Sequence, residues 1–368
     1  MQIINVQKLT VKSRFGNYQV IFYKDFKFFR DLKKNNFYFI VDRQIFKLYK
    51  ETLFDNIDKK KLILLAAKEE TKTIGKVKTI YASLLENSIN KNATLVSVGG
   101  GVMQDVSGFI ASTLFRGIKW LYVPTTLLSQ ADSCIGSKTS INFRNYKNLI
   151  GTFYPPAKIY ISSAFLKTLN MKDFYSGLGE IIKLQLIDTD SDKFKNLVND
   201  IKKVLEEKDS ALLLSLIESS LRIKKHYIEK DEFDHSVRNL LNYGHTLGHA
   251  LESVSNFRIS HGMAVILGVI YANILSVNRS MQSEKSFKFL TNFFLLPNAH
   301  LDMLKLKSDY FDKEKLMRLV KRDKKQVNSK LTFIIPANNF KLNKVDDISY
   351  KEFNMALSRL KTLLFRSN

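Results

Sequence analysis

One cysteine, Cys134, stands in a chain of 368 residues. An internal disulfide framework is thereby excluded, and a reducing compartment is expected. Residues 1–6 carry neither the basic region nor the apolar stretch of a secretory leader, so the protein is expected to be cytoplasmic. No hydrophobic run makes a comfortable membrane span. The most apolar one, Met263 to Val277, is short and contains Asn273, and it reads as a buried helix. There is no internal repeat and no Gly/Ser/Pro-rich linker. An arginine-rich tail and a basic low-complexity arm are also missing, although 58 Lys and Arg against 35 Asp and Glu leave a net charge of +23. The lysines are spread from end to end beside abundant asparagine, isoleucine and phenylalanine, a general compositional bias. Neither nucleic acid nor a membrane is expected as a partner; a small anionic substrate is the better use of the charge.

The length suits two domains, and contents of 45% hydrophobic and 25% charged residues are those of a soluble globular protein. Short apolar runs at Phe37–Val41, Leu62–Leu65, Thr94–Val98, Trp120–Val123 and Ile159–Ile161 read as strands, separated by helical stretches such as Thr73–Leu85 and Gln104–Leu114. This alternation predicts an α/β domain over residues 1–165, with a largely parallel sheet covered on both faces and ligands beyond the carboxyl ends of its strands. From residue 166 to 368 the spacing is helical, over Leu166–Lys183, Ser191–Glu207, Leu212–Lys230, Val237–Val254 and Met263–Val277, with one weak strand signal at Leu331–Ile335. A mainly α-helical second domain follows.

Three of the six histidines cluster as His245, His249 and His261. Residues four apart share a helix face, and neutral imidazole is a common metal ligand. A catalytic zinc takes three protein ligands and keeps one open position. Glu180, inside the apolar stretch Gly177 to Lys183, is a natural third ligand, although spacing alone favours an ion pair with a neighbouring lysine over that role. Arg238, Asn242, His245 and His249 fall at i, i+4, i+7 and i+11, which predicts one continuous polar helix face. Gly99-Gly100-Gly101 follows a strand and opens a helix, where backbone amides can approach a phosphate; a tight turn without ligand would use the same glycines. It is not the G-x-G-x-x-G fingerprint.

The ordered motifs are more specific than any of these singly. Gly-Gly-Gly-Val-x-x-Asp (Gly99 to Asp105), Arg116-Gly117, Pro-Thr-Thr-Leu-Leu from Pro124, Asp-Ser-x-x-Gly-x-Lys-Thr from Asp132, Lys-Asn-x-x-Gly from Lys147, Gly-x-x-Glu-x-Ile-Lys from Gly177, Arg-x-x-Leu-Asn-x-Gly-His-Thr-x-Gly-His from Arg238 and His261-Gly262 occur in that order. The set resembles the 3-dehydroquinate synthase family of sugar-phosphate cyclases. The resemblance implies a Rossmann-like NAD-binding α/β domain, an α-helical metal-binding domain, NAD, and a divalent metal, usually zinc with cobalt possible. By position it implies Glu180, His245 and His261 as metal ligands. Asp42, Glu69, Lys72, Gly100, Gly101, Asp105, Thr125, Thr126, Asp132 and Lys147 match NAD-side positions. Lys138, Asn148, Asn242 and His249 match positions around the substrate phosphate, Lys224 and Arg238 those holding a carboxylate, and Lys183 one beside the substrate hydroxyls. Arg116 matches an arginine that reaches the neighbouring subunit, which implies a homodimer, and Lys324 or Lys325 is expected to reach phosphate. The implied substrate is a phosphorylated seven-carbon acid, 3-deoxy-D-arabino-heptulosonate 7-phosphate. It would be oxidised transiently, lose phosphate, be reduced and close by aldol addition to 3-dehydroquinate. Departures at Gln104, Ser137, Tyr146, His235 and Met263 are expected to line the site, and they leave as alternatives another NAD- and metal-dependent sugar-phosphate cyclase, of secondary metabolism or surface-polysaccharide synthesis, and behind it a metal-dependent alcohol dehydrogenase.

Overall fold

The computed structural model describes residues 7–33, 36–144, 146–323 and 330–365. Apolar runs rich in Val, Ile and aromatics, buried on both faces, form the centre of a seven-stranded sheet. Its strands are β1 (Lys8–Val11), β2 (Tyr18–Tyr23), β3 (Phe37–Asp42), β4 (Leu62–Leu65), β5 (Thr94–Gly99), β6 (Lys119–Pro124) and β9 (Lys158–Ser162), in the spatial order β1-β2-β9-β6-β5-β3-β4. All neighbouring pairs are parallel except β1 with β2. Because successive side chains alternate, Phe39, Val41, Val96, Val98, Leu121 and Val123 pack on one face with Phe28, Phe29 and helix α1 (Arg43–Leu53). The opposite face meets helix α3 (Gly101–Thr113), where a Cβ on Gly108 would lie 3.2 Å from the Trp120 ring. Helix α2 (Ile74–Glu86) stands between β4 and β5 in the chain. The five strands expected from the sequence are present, and so are the helices between them.

β7 (Lys138–Phe143) and β8 (Tyr146–Phe153) form a separate antiparallel hairpin, pairing Thr139 with Thr152 and Ser140 with Gly151. The sequence offered no strand pattern there, because β8 is exposed along much of its length and hydrophobic alternation has no core to answer.

Contacts divide the chain into two compact units. The first is Met1–Leu169 together with Leu213–Phe233; the second is Asn170–Leu212 with Asp234–Asn368. This departs from a single boundary at 165/166, because helix α6 (Ser210–Lys230), from Leu213 on, belongs to the first unit. Its carboxylates explain the return: Glu229 accepts from the Lys12 amide at 2.7 Å, and Glu232 from Ser13 Oγ at 2.5 Å and the Arg14 amide at 2.9 Å.

The second unit is mainly helical. Helices α4 (Met171–Ile187), α5 (Ser191–Glu206), α7 (His245–Val254) and α8 (His261–Asn278) are joined by the strand pair β10 (Leu331–Pro336) and β11 (Leu342–Ile348) and by a helix over Tyr350–Phe365. α8 is the one described helix long and apolar enough to cross a membrane, and 83% of it is buried inside the protein. α4 approaches its first turn so closely that a Cβ on Gly262 would stand 1.8 Å from the Ser176 carbonyl oxygen. The helix expected over Val237–Val254 is broken. Val237–Asn242 is a 3-10 segment, Gly244 takes φ 78°, and α7 starts at His245. Arg238 and Asn242 therefore do not continue the face that carries His245 and His249. The left-handed glycine is the physical cause.

Candidate metal centre and dinucleotide edge

In the second unit, α4 places Glu180 among apolar neighbours with no exposure at all. The N-terminal turns of α7 and α8 bring His245 and His261 to it. Glu180 Oε1 lies 3.4 Å from His245 Nε2 and 3.3 Å from His261 Nε2, and it makes no hydrogen bond. The other carboxylate oxygen pairs with Lys183 Nζ at 2.7 Å, and that ammonium, 2% exposed, also donates to the Leu241 carbonyl at 3.1 Å. Glu180 thus has a lysine partner on one oxygen and faces two imidazoles with the other. His249 completes the cluster, its donor atoms lying within 4.8 Å of those of His245 and His261.

The outer ring nitrogens are held. His245 Nδ1 stands 3.2 Å from the Tyr243 carbonyl, and His261 Nδ1 is 3.0 Å from Glu252 Oε2. A ligand histidine is oriented in this way, its second nitrogen fixed so that the first points at the metal. Glu252 was not picked from the sequence, although it follows His245 and His249 at i+7 and i+3 on the same face of α7.

The electrostatics of the protein without metal match a site built for a cation. Burial opposes the charge on Glu180, yet Lys183, His245 and His261 hold its carboxyl well below the usual range. Burial also opposes a charge on His261, but the facing Glu180 and Glu252 carboxylates raise it to about 10. His245 is pushed well below its ordinary value, by burial first. An unbonded carboxylate oxygen between two imidazole nitrogens fits a divalent metal with nitrogen and oxygen ligands.

In the first unit the residues expected around NAD gather where strands end. β3 closes on Asp42, β5 on Gly99 and β6 on Pro124, followed by Thr125 and Thr126. The chain steps outward from β3 to β4 and then back across β3 to β5, so the strand order reverses between β3 and β5. Open sheets bind ligands at such a reversal. Gly100 caps α3 with no side-chain hydrogen bond, and a Cβ there would reach within 3.1 Å of Thr126. Asp42 caps α1 through the Gln44 amide at 3.0 Å, and burial raises its carboxyl.

Beside this edge Lys72, 3% exposed, donates to Asp105 at 2.7 Å and to Asn148 Oδ1 at 2.6 Å, with Glu69 at 3.7 Å. Asn142 joins Glu69 at 2.8 Å and accepts from the Asn148 amide at 2.9 Å; Ser140 also donates to Asn148. Asn148 is thus tied into the Lys72 network, and Asn142 was not singled out from the sequence. Lys147 lies 4.0 Å from Glu69. Asp132, in the π-helical turn Ser129–Ser133, pairs with Lys224 at 3.0 Å, and its carbonyl accepts from the same ammonium at 2.7 Å. Lys138 and Arg116 are exposed, Arg238 is 5% exposed in the second unit, and Lys324 and Lys325 lie outside the described residues. Among the departures, Gln104 and Met263 are buried, with Gln104 bonded to Ser133 at 2.7 and 2.9 Å, whereas Tyr146 is 66% exposed and His235 is exposed too.

Comparison with known proteins gives this arrangement its context. Residues 62–176 match the family model of the 3-dehydroquinate synthase N-terminal region, and residues 177–326 that of the C-terminal region. A 3-dehydroquinate synthase of Clostridium tetani is 38% identical over 312 residues, 82% of this chain and 83% of the relative. A 2-epi-5-epi-valiolone synthase from Streptomyces hygroscopicus subsp. jinggangensis, solved with NAD+ and Zn2+ bound, aligns with a TM-score of 0.83 at 22% identity, covering 95% of this chain and 98% of its own. A 2-deoxy-scyllo-inosose synthase, solved with carbaglucose-6-phosphate, NAD+ and Co2+, aligns at a TM-score of 0.80 and 21% identity, over 96% of this chain and all of its own. With the N-terminal and C-terminal family models matched in order and a relative 38% identical over most of its length, the chain belongs to the 3-dehydroquinate synthase family.

Proposed function

We propose that this chain is a 3-dehydroquinate synthase, converting 3-deoxy-D-arabino-heptulosonate 7-phosphate to 3-dehydroquinate and phosphate with NAD and a divalent metal. The observation that carries the chemistry is Glu180 Oε1, unbonded and aimed at the inner nitrogens of two imidazoles whose outer nitrogens are held. The substrate follows from relatives such as the Clostridium tetani enzyme at 38% identity, against 22% for the valiolone synthase.

Glu180, His245 and His261 would hold the metal, zinc or cobalt as in the solved relatives. When bound, the metal supplies a Lewis acid to a developing alkoxide and NAD an acceptor and later donor of hydride. Lys183 balances the Glu180 carboxylate and would stand beside the substrate hydroxyls. Asp42, Glu69, Lys72, Gly100, Gly101, Asp105, Thr125, Thr126, Asp132 and Lys147 would bind the dinucleotide, with the Lys72–Asp105 pair fixing one wall. Lys138, Asn148, Asn242 and His249, with Lys324 or Lys325, would take the phosphate. Lys224 and Arg238 would take the carboxylate, a group suited to a guanidinium with an ammonium. Arg116 would serve the neighbouring subunit of a homodimer, and the protein would work in the cytoplasm.

The test is phosphate release and cyclic product from metal-loaded protein given NAD and the seven-carbon acid phosphate. Product formation without net NADH is expected. Release from sedoheptulose 7-phosphate but not from the acid would overturn the substrate. Stoichiometric NADH accumulation would overturn the reaction in favour of a metal-dependent alcohol dehydrogenase.

A further inference from the structure

α8 carries a polar residue in its most buried stretch. Asn273 is wholly inaccessible, flanked by Ala272 and Ile274, and a buried amide is costly unless it is bonded. Its Nδ2 donates to the Tyr243 hydroxyl at 2.6 Å and to the Val269 carbonyl at 2.8 Å, while its Oδ1 has no hydrogen-bond partner. An apolar residue of similar size would avoid that unpaired oxygen, so helix stability alone does not account for an asparagine here.

Tyr243 is itself buried, and its position in the chain is particular. With φ −53° and ψ 123° it precedes Gly244 at φ 78° and ψ −18°, the two central conformations of a type II turn that leads into His245. In such a turn the direction of the central carbonyl depends on which way the peptide between the two residues is rotated; the type I alternative turns it over. That carbonyl, of Tyr243, is the one 3.2 Å from His245 Nδ1. On the other side the Gly244 carbonyl is packed against Gly268 of α8, where a Cβ would stand 1.9 Å from it. The turn is thus gripped by α8 at two points: by close packing at Gly268, and by the Asn273 amide through the tyrosine side chain.

We infer that Asn273 is a positioning residue for the metal centre, acting through the Tyr243 hydroxyl to fix the turn whose carbonyl orients the His245 imidazole. Helix α8 then serves the centre twice, supplying His261 at its first residue and setting His245 from its third turn and beyond. This inference rests on the metal reading of Glu180, His245 and His261.

The experiment measures Co2+ affinity by competition with a chromophoric chelator, together with the visible spectrum of the Co2+-loaded protein, for the wild type, Asn273→Ala, Tyr243→Phe and the double variant. Ser276→Ala, which removes another buried α8 hydrogen bond, at 2.5 Å to the Pro336 carbonyl, is the control for stability alone. Asn273→Ala and Tyr243→Phe are each expected to weaken Co2+ binding about tenfold, the low end of what loss of an outer partner of a metal ligand costs. Both should shift the Co2+ bands, and the double variant should be no weaker than either single one. Ser276→Ala should keep the wild-type affinity and spectrum. Tyr243→Phe stands alone if Asn273→Ala does not fold. Wild-type affinity and spectrum in Tyr243→Phe, or losses that Ser276→Ala reproduces, would overturn the inference. His245→Ala separates the two levels: Co2+ binding lost there but intact in Tyr243→Phe sinks only the role of Asn273, whereas binding kept in His245→Ala sinks the metal reading itself.

Discussion

Glu180 and Lys183 form a buried ion pair, with 0% and 2% side-chain exposure and 2.7 Å between them. Taking one charge from such a pair strands the other. Glu180→Gln should therefore cost the metal-free protein roughly 3–5 kcal/mol, read as a lower denaturant midpoint; an unchanged midpoint would show that the ammonium finds its stabilisation elsewhere. His245→Ala should abolish tight metal binding, and His249→Ala should keep one metal per subunit by elemental analysis, since His249 is read as binding the substrate phosphate. Equal metal loss in both variants would make His249 a ligand. At this scale the sequence was informative where a polar residue sat in apolar surroundings, as Glu180 does, or where spacing was helical, as for His245 and His249. Asn142 and Ser140 carried no such mark. Polar side chains on an exposed hairpin are ordinary, and only the fold brings them to Lys72.

Elements were legible where burial imposes a pattern. The strands β3, β5 and β6 read as apolar runs because both of their faces are covered. The helix Tyr350–Phe365 also carries a regular stripe, Phe353, Ala356, Leu357, Leu360 and Leu364, although it was not singled out from the sequence. The break at Gly244 was harder to foresee, since a glycine within a helical pattern is usually tolerated. Gly244→Ala should be far more harmful than an ordinary exchange. It forces a side chain into φ 78° and places a Cβ 2.6 Å from the Val265 carbonyl oxygen. Backbone strain of this kind costs about 1–3 kcal/mol, and His245 moves with the turn, so both the melting temperature and metal content should fall. A melting temperature within a degree of wild type would refute this. At the far end of α8, Arg279 binds Glu352 at 2.7 Å and Asp347 at 2.6 Å. The Arg279 hydrogen bond, helped by Ser349, lowers the Glu352 carboxyl from 4.5 to about 2. Its folded value lies below its unfolded one, so the contribution is present above about pH 4.5 and is lost as pH falls toward 2. Stability measured between pH 5 and 3 should fall less steeply in Arg279→Met than in the wild type; parallel curves would contradict it.

For the whole molecule, a metal bound only by the folded form should stabilise it by mass action. Free metal at a hundred times its dissociation constant adds about 2.7 kcal/mol. Chelation should lower the melting temperature of the wild type and leave that of His245→Ala unmoved; equal shifts would place the stabilising ion elsewhere. The two-part organisation was legible because the periodicity changes from strands to helices near residue 165. The return of Leu213–Phe233 was not, because a helix looks alike in sequence whichever unit receives it. That return means the chain passes from one unit to the other three times, after Leu169, Leu212 and Phe233. Neither unit is a continuous stretch of the gene. On the ribosome the sheet is complete by Ser162, yet the carboxylates that bind its first strand and turn arrive only with Glu229 and Glu232. The first unit must wait, unfinished, while part of the second is synthesised, and no single cut could graft either unit onto another protein intact.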